Sequence, residues 1–446
     1  MADRAPLSKS TIVERIRGAG VVGAGGAGFP THVKAESSAE IVIANGCECE
    51  PLVSSDRFVI AERGEEVIDG LALMMLATGA PKGYLAVREE YADLLGPLEK
   101  KAGSAGVEFI TVPDKYPAGD EHILVYEATG RVIPQGGIPL AVGVVVSNVN
   151  TLFNVARAMR GEAVTARTVT VCGDVAQSVV CDAPIGTSVA DVLKLTGNDA
   201  TLEGKRVLLS GIMMGEVCED ILHPVDKRTG SVIVLPETNE VIMRKTLSVD
   251  AMLRRAASVC CQCTFCTELC PRHMLGHDIE PHKVMRTIVL PGSNIEDIAG
   301  AMYCCECGLC GVYVCPMRLS PDRICAMVKR ELMARGTKVE TDKEAAVNPN
   351  REYRRVPHER IVIRTELAPY EREAKKVDKL SPERVSIPLK QHVGAAARPV
   401  VSAGDRVSEG DIIGEMDRGE LGARVHASID GVVVEVGDSV VIEKRH

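Results

Sequence analysis

Two cysteine-rich stretches of the chain have nearly the same pattern. Residues 260–271 read CCQCTFCTELCP, and residues 304–316 read CCECGLCGVYVCP. In the register of two-residue gaps they are C-x2-C-x2-C-x3-C-P and C-x2-C-x2-C-x4-C-P, which is the form of ferredoxin-type 4Fe-4S sites. Three thiolates on one tight loop can bind three irons of a cubane, whereas the fourth must come from another direction. The sequence therefore predicts a helical, two-cluster ferredoxin-like domain over residues 249–338.

The last cysteine of each stretch decides how the two clusters share their ligands. In two-cluster ferredoxins, this fourth Cys ligates the cluster of the other run. The predicted ligands are Cys260, Cys263, Cys266 and Cys315 for the first cluster, and Cys304, Cys307, Cys310 and Cys270 for the second. Cys261 and Cys305 each adjoin a predicted ligand and are alternatives to it. Zinc is the rival metal, since its four-cysteine sites also use C-x2-C pairs, but three Cys at successive gaps suit it badly.

Composition limits the class of protein around these sites. The chain has 446 residues, 46% hydrophobic and 25% charged, which is typical of a soluble globular protein with several domains. A formal net charge of −9, with eight Tyr and five Phe, suits nucleic-acid binding poorly. No apolar run is long enough for a transmembrane segment, and the N-terminus lacks the apolar core of a signal peptide. We therefore expect a cytoplasmic protein, in which sixteen Cys indicate metal or redox chemistry.

Residues 1–162 alternate between helical and strand patterns. Short apolar strands separated by amphipathic helices predict a parallel α/β sheet, and ligands bind such sheets at the carboxyl ends of the strands. The predicted helices cover residues 8–17, 58–77, 91–102 and 120–129, and the predicted strands cover 40–44, 84–87, 107–112 and 142–146.

The remaining segments differ in pattern from this domain. Residues 163–248 are strand-rich, with strand patterns at 167–171, 207–209 and 232–234 around one short helix at 189–195, and predict a β-grasp (soluble ligand-binding-like) module. Residues 339–384 are charged and contain prolines, which predicts a linker or an extended wrap. Residues 385–446 have the Gly-Asp turns of a biotinyl/lipoyl-like barrel-sandwich domain. Its candidate hairpin tip, residues 417–420, has no carrier Lys, so we predict a structural barrel.

Four polar or glycine-rich segments are predicted along one rim of the parallel sheet. Residues 23–34 read GAGGAGFPTHVK, where glycines allow the backbone to approach a flat ring or a phosphate. This loop is not a dinucleotide fingerprint, which must follow a strand and open a helix; here it follows a helix and leads toward a strand. The other segments are NGCECEP at 45–51, YPAGDEH at 116–122 and SNVNT at 147–151.

These four segments resemble the flavin-binding domain of the NADH-oxidising subunit of respiratory complex I. They are more similar to the RnfC subunit of Rnf complexes, which also has two ferredoxin runs. In RnfC the barrel-like segment precedes the flavin domain, whereas here it begins near Ile387. That order resembles the cobalamin reductases of propanediol-utilisation microcompartments.

The resemblance implies a set of cofactor-binding residues. It implies FMN held by Gly23, Gly25, Gly26, Lys34, Asn45, Glu48, Asn148 and Thr151, and NADH against Gly26, Phe29, Glu50, Tyr116 and Glu121. Three positions depart from complex I, because Ala24, Cys47 and Asn150 stand where it has Arg, Asp and Glu. Hydride transfer requires no side-chain acid or base, so no catalytic residue is predicted.

The resemblance also implies a function. NADH reduces FMN, and two 4Fe-4S clusters pass the electrons to a corrinoid or a corrinoid-dependent enzyme, inside a bacterial microcompartment and with a shell protein as a possible partner. One alternative is RnfC-like transfer to ferredoxin or another redox partner. A second alternative is a non-catalytic electron wire or scaffold.

Overall fold

The computed structural model describes residues 7–197, 202–290, 292, 294–338, 343–417 and 419–445. Parts of all five predicted domains, including residue 418 in the segment inspected for a carrier Lys, lie outside the described residues.

A four-stranded parallel sheet with the order β3-β2-β1-β5 forms the centre of the N-terminal part, as predicted. Its strands end at one rim, where the loops after β1 and β5 lie side by side. The elements are α1 (Lys9–Gly18), α2 (Thr31–Glu36), β1 (Ile41–Gly46), α3 (Ser55–Thr78), β2 (Lys82–Arg88), α4 (Glu99–Ala105), β3 (Val107–Val112), β4 (Lys115–Tyr116), α5 (Glu121–Thr129), β5 (Val144–Asn148) and α6 (Val149–Met159).

Close packing of α3 on α6 covers one face of this sheet. Gly70 of α3 lies so near α6 that an added Cβ would overlap the carbonyl oxygen of Leu152. Ile68 and Leu71 on the same helix and Leu152 on the other are fully buried. The contact therefore depends on a residue without a side chain at position 70.

Two local predictions in this region are wrong. The helix predicted over 91–102 is two short 3₁₀ turns, Glu89–Leu94 and Gly96–Leu98, followed by α4. Gly96-Pro97 interrupts it, because Pro lacks the N–H of a helical hydrogen bond and clashes with the preceding turn. The glycine loop does not lead directly to a strand, because residues 31–36 first form the short helix α2.

A second, mixed sheet follows, with the order β12-β7-β6-β10-β8-β9. The strand patterns at 167–171, 207–209 and 232–234 correspond to β6, β8 and β10, whereas β7 had no counterpart in the predicted pattern. The elements are β6 (Ala166–Gly173), β7 (Val179–Pro184), α7 (Val189–Lys194), β8 (Lys205–Leu209), β9 (Glu216–Cys218), β10 (Ser231–Pro236) and α8 (Glu240–Lys245), with β12 (Lys375–Lys376) from later in the chain.

Short helices surround the two cysteine stretches. They are α9 (Val249–Val259), α10 (Phe265–Glu268), α11 (Pro271–Met274), α12 (Pro281–Thr287), a 3₁₀ helix (Ile295–Tyr303), a π-helical turn (Cys310–Val314) and α13 (Pro321–Ala334).

The charged segment predicted as a linker or an extended wrap pairs with strands from two other parts of the chain. It contains α14 (Arg351–Arg354), β11 (Val356–Pro357), α15 (His358–Arg364), a 3₁₀ turn (Ala368–Tyr370) and β12. Strand β11 pairs with β4 and strand β12 with β7. In its described part, the segment is therefore an extended wrap and not a free linker.

The C-terminal part forms two small antiparallel sheets, with the orders β13-β19-β18-β15 and β14-β16-β17. Their strands are β13 (Arg384–Pro388), β14 (Arg398–Pro399), β15 (Arg406–Val407), β16 (Ile412–Glu415), β17 (Val425–His426), β18 (Gly431–Val436) and β19 (Ser439–Glu443). This part contacts the glycine loop: a Cβ added to Gly28, whose φ is +75°, would lie 2.9 Å from the carbonyl oxygen of Gln391.

Candidate functional site

A cavity of about 1150 Å³ lies at the carboxyl ends of the parallel strands. The glycine loop forms one wall, and residues of the second sheet and of the second cysteine stretch form others. Ten of the residues that the resemblance implies line it: Gly25, Gly26, Phe29, Lys34, Asn45, Glu48, Glu50, Tyr116, Glu121 and Asn148. The cavity has the size and the mixture of apolar and polar groups that a flavin and a nucleotide require.

Gly23 and Thr151 are not among the lining residues. The Oγ1 of Thr151 accepts a hydrogen bond from the Ala24 N–H at 2.9 Å, and the Gly23 N–H donates to the Phe29 carbonyl at 2.9 Å. Both residues therefore stabilise the conformation of the glycine loop without lining the cavity. At Gly26 an added Cβ would meet no atom within 4 Å, so the loop backbone is open to a ligand there.

A cationic side chain lies beside the loop. Lys34 of α2 donates to the Val146 carbonyl at 2.7 Å and to Glu121 Oε1 at 3.3 Å. Its ammonium group therefore lies at the end of β5, paired with a carboxylate that also lines the cavity.

Two carboxylates, the half-buried Glu48 and the buried Asp56, lie close together at the N-terminus of α3. The Glu48 carboxylate accepts hydrogen bonds from Ser55 Oγ at 2.9 Å and from the Asp56 N–H at 3.1 Å, where the helix dipole favours a negative charge. Burial, and next the charge of Asp56, raise the pKa of Glu48 to about 7. Glu48 can therefore gain or lose a proton near neutral pH.

Asp56 was not predicted as a site residue, because in the sequence it looks like an ordinary residue at the start of a helix. Its carboxylate accepts from Asn148 Nδ2 at 2.6 Å and from Asn150 Nδ2 at 2.8 Å. Asn150 is one of the three departures from complex I, and here it satisfies a buried carboxylate. The buried guanidinium of Arg167, on β6, also lines the cavity and lies close enough to Asp56 to interact electrostatically with it.

Glu50 joins the rim to the second sheet. Its two carboxylate oxygens accept hydrogen bonds from the backbone N–H groups of Met213 at 2.8 Å and Met214 at 2.9 Å. Gly211 has a φ of +127°, and a Cβ there would overlap the Glu50 carboxylate. Burial raises the pKa of Glu50, so its charge depends on these donors.

The cavity reaches the second cysteine stretch. The hydroxyl of Tyr116 donates to the Cys307 carbonyl at 2.6 Å, and both residues are buried. Cys305 and Cys307 are themselves lining residues. A ligand in the cavity would therefore be in direct reach of the residues that hold the second predicted cluster.

The predicted ligand sets come together across the two stretches. Cys315 lines one small pocket with Cys260, Cys263 and Cys266, and Cys266 interacts electrostatically with all three. Cys304 interacts electrostatically with Cys270, as does Cys307. Within the described ranges, no three His, Cys, Asp or Glu side chains converge as they would around a single metal ion. A cubane differs from such a site, because it distributes its four thiolates over four irons.

One cysteine near both sets was assigned no role from sequence. Cys325, fully buried on α13, interacts electrostatically with Cys304, Cys270 and Cys266. A lone Cys in a helix carries no sequence signal of such a position, because it looks like any small buried residue.

Three family comparisons match separate parts of the chain. The Nuo51 FMN-binding domain matches residues 16–157, the 4Fe-4S dicluster domain matches 259–320, and the RnfC barrel-sandwich hybrid domain matches 369–446.

Over its whole length the chain is similar to "Cobalamin reductase PduS" of Salmonella typhimurium, with 40% identity over 98% of this chain and 97% of that protein. The chain belongs to the PduS cobalamin reductase family. The "Cobalamin reductase PduS" of Citrobacter freundii is 39% identical to this chain over 96% of this chain and 94% of that protein. This PduS family member is thus an oxidoreductase with an FMN-binding and a two-cluster 4Fe-4S domain.

More distant similarities cover less of this PduS family member. One component of the Na(+)-translocating ferredoxin:NAD(+) oxidoreductase complex of Acetobacterium woodii is 32% identical over 60% of this chain and 59% of that protein. An NAD+-reducing [NiFe]-hydrogenase structure in the H2-reduced state has a TM-score of 0.51 and 21% identity, covering 76% of this chain and 70% of that chain. The latter supports the fold alone. Among the described residues, none of the helices is both long and apolar enough to span a membrane.

Proposed function

We propose that the protein transfers electrons from NADH through FMN and two 4Fe-4S clusters to a corrinoid. The observation that carries this proposal is the contact between the cavity and the second cysteine stretch, where Cys307 lines the cavity and Tyr116 bonds its carbonyl. Bound FMN accepts a hydride and releases electrons singly, and each cluster carries one electron.

The proposed cofactor residues divide between the loop and the rim. Gly23, Gly25, Gly26, Lys34, Asn45, Glu48, Asn148 and Thr151 hold the flavin, and Gly26, Phe29, Glu50, Tyr116 and Glu121 face the nicotinamide nucleotide. Gly23 and Thr151 act by shaping the loop, since neither lines the cavity. In the proposed position the carboxylate of Glu50 favours NADH over NADPH, because it would repel the 2′-phosphate of NADPH.

The exposure of the cysteines suggests an order for the two clusters. Cys307 is buried and lies at the cavity, whereas Cys263 is exposed at the surface. We propose that the second cluster, held by Cys304, Cys307, Cys310 and Cys270, takes electrons first. The first cluster, held by Cys260, Cys263, Cys266 and Cys315, then passes them to the acceptor.

The names of the full-length relatives support a corrinoid as the acceptor. The test is an anaerobic acceptor series with the cofactor-loaded protein, NADH, and in turn aquacobalamin, a bacterial ferredoxin and no acceptor. The proposal expects NADH oxidation that depends on the corrinoid and yields the reduced corrinoid spectrum. Oxidation supported by ferredoxin but not by the corrinoid would favour the Rnf-like function, which the similarity to the Acetobacterium woodii protein suggests.

The domain bounds, the cellular location and the shell partner of the protein are also proposals. We propose domains at 1–162, 163–248, 249–338 and 385–446, the second of them a β-grasp module, with the wrap of 339–384 between the last two. The antiparallel pairing of β6 with β7 and of β8 with β10, around α7, supports the β-grasp assignment. We propose a cytoplasmic protein within a microcompartment, with a shell protein as partner; co-purification with shell proteins tests this.

A further inference from the structure

A buried ion pair lies between the cavity and the second cysteine stretch. Arg272, two residues after Cys270, donates from Nη2 to Asp120 Oδ2 at 2.8 Å, and only 11% of each side chain is exposed. Arg272 also lies close enough to Cys305 for its charge to act on that thiol. This guanidinium is therefore near the stretch that holds the proposed second cluster.

The carboxylate of the pair belongs to the cavity. Asp120 lines it and begins α5, where its Oδ1 accepts the N–H groups of His122 at 3.0 Å and Ile123 at 3.2 Å. Burial would raise the pKa of Asp120, but Arg272 and these hydrogen bonds keep it below its ordinary value. The pair is thus a fixed cation toward the cysteines and a fixed anion toward the cavity.

Two imidazoles lie near the pair and add no positive charge to it. His122 and His277 pack edge to face at 5.3 Å, and burial, with the charge of Arg272, lowers the pKa of each imidazole. Both rings are therefore neutral near pH 7. The charge of Arg272 also acts on Cys270, which reaches the second cluster from the first stretch.

A cation close to an iron–sulfur cluster stabilises the reduced form, because reduction adds one negative charge. Net charge and hydrogen bonds around the cluster sulfurs are among the factors that set its reduction potential. Burial strengthens this effect, since a charge is poorly screened inside a protein.

We propose that Arg272, oriented by Asp120, is a positioning residue that raises the reduction potential of the second cluster and so makes it the first acceptor of flavin electrons. This rests on the proposed function. In each transfer the bound flavin would lose one electron and the second cluster would gain one, which it passes to the first cluster before it takes the next. Two transfers would return the flavin to its oxidised state, and the hydrogen that it received as hydride from NADH would leave as a proton to solvent.

The test is an EPR-monitored redox titration of the holoprotein with dithionite and mediators. Arg272→Gln is expected to shift the potential of one cluster to more negative values and leave the other unchanged. Asp120→Asn removes the neutralising anion, so it is expected to shift the same cluster to more positive values. A purely structural disturbance would instead shift the reduction potential of the cluster in the same direction in both variants.

Two further variants serve as controls for the redox titration. Arg272→Lys keeps the charge and is expected to keep most of the wild-type potential, and it reports if the Gln variant fails to load the cluster. Arg63→Gln removes a partly buried guanidinium that pairs with Asp182, outside the two cysteine stretches, and the potential of neither cluster should shift. Equal potentials in wild type and Arg272→Gln, or shifts of the same sign in the two pair variants, overturn the inference. Because dithionite is the reductant, a wild type that fails to respond to NADH would count against the proposed function alone.

Discussion

Among single residues of the cavity, Glu48 has a pKa that falls near neutral pH. Its folded-state pKa of about 7 lies above the ordinary value of a carboxyl group, mainly because the side chain is buried and next because Asp56 is close. A raised carboxyl pKa means that the folded state binds the proton more tightly than the unfolded state. Stability from this group is therefore present at low pH and lost as the pH rises through the folded pKa.

Glu48→Gln is expected to remove this loss. Between pH 6 and pH 8 the wild-type apoprotein should lose thermal stability relative to the variant, by a ΔΔG on the order of 1–2 kcal/mol. The measurement is the unfolding temperature of both proteins at several pH values. Glu65→Gln, which changes an exposed carboxylate on α3, is the control and should follow the wild type. Parallel pH profiles for wild type and Glu48→Gln would contradict the coupling of Glu48 to folding.

Cys263 provides a residue-scale test of the cluster order. Cys263→Ser should disrupt the exposed first cluster and abolish electron transfer to the corrinoid, yet leave NADH-driven bleaching of the flavin intact. Cys261→Ser, one residue beyond the ligand Cys260, is the matched control and should keep both clusters. Iron content, flavin absorbance and acceptor reduction are measured together. Loss of flavin reduction and of onward transfer in the same variant would contradict the division of roles.

At the scale of elements, the residue patterns predicted the parallel sheet well and the breaks less well. Short strands such as 107–112 could be predicted because their apolar residues form short runs in the sequence, bounded by helical patterns. The pattern of 91–102 hid its break, since local amphipathicity suits a helix although Gly96-Pro97 ends it. Strand β7 reads VVCDAP, in which Asp182 and Pro184 weaken the strand signal, and it becomes a strand by pairing with β6.

The α3–α6 contact gives an element-scale prediction. Gly70→Val is expected to destabilise the protein by about 1–3 kcal/mol, because the added side chain would meet the Leu152 backbone, which cannot rotate away. Gly103→Ala in α4 is the control: it meets nothing within 4 Å and should be neutral or stabilising, by up to about 1 kcal/mol. Chemical denaturation of the apoproteins measures both. Equal stability of Gly70→Val and wild type would show that α6 can move away from α3.

At the scale of the whole molecule, the cavity depends on contacts between distant parts of the chain. The buried ammonium of Lys227 donates to the Gly20 carbonyl at 2.7 Å and to the Arg424 carbonyl at 2.8 Å, which ties the approach to the glycine loop to the C-terminal barrel. Met213 and Met214 similarly hold Glu50. Sequence patterns report local structure, so they predicted the rim segments but not these long-range supports.

The same reasoning explains which parts of the site were recognisable. The cysteine spacing and the glycine loop are short local patterns imposed by their chemistry, and they could be read directly. Asp56, Arg167 and Arg272 acquire their positions only when separate elements meet around the cavity. Nothing in their local sequence distinguishes them from surface charges.

Anaerobic reduction of the purified holoprotein by NADH is the decisive test of electron transfer from the flavin to the clusters. Iron, sulfide and released flavin are counted first, and absorbance and freeze-quenched EPR are followed after mixing. The account predicts about eight irons and one FMN per chain, bleaching of the flavin, and then the EPR signals of reduced clusters. Clusters without bound flavin, or with flavin that NADH does not reduce, would contradict it and favour the electron wire or scaffold.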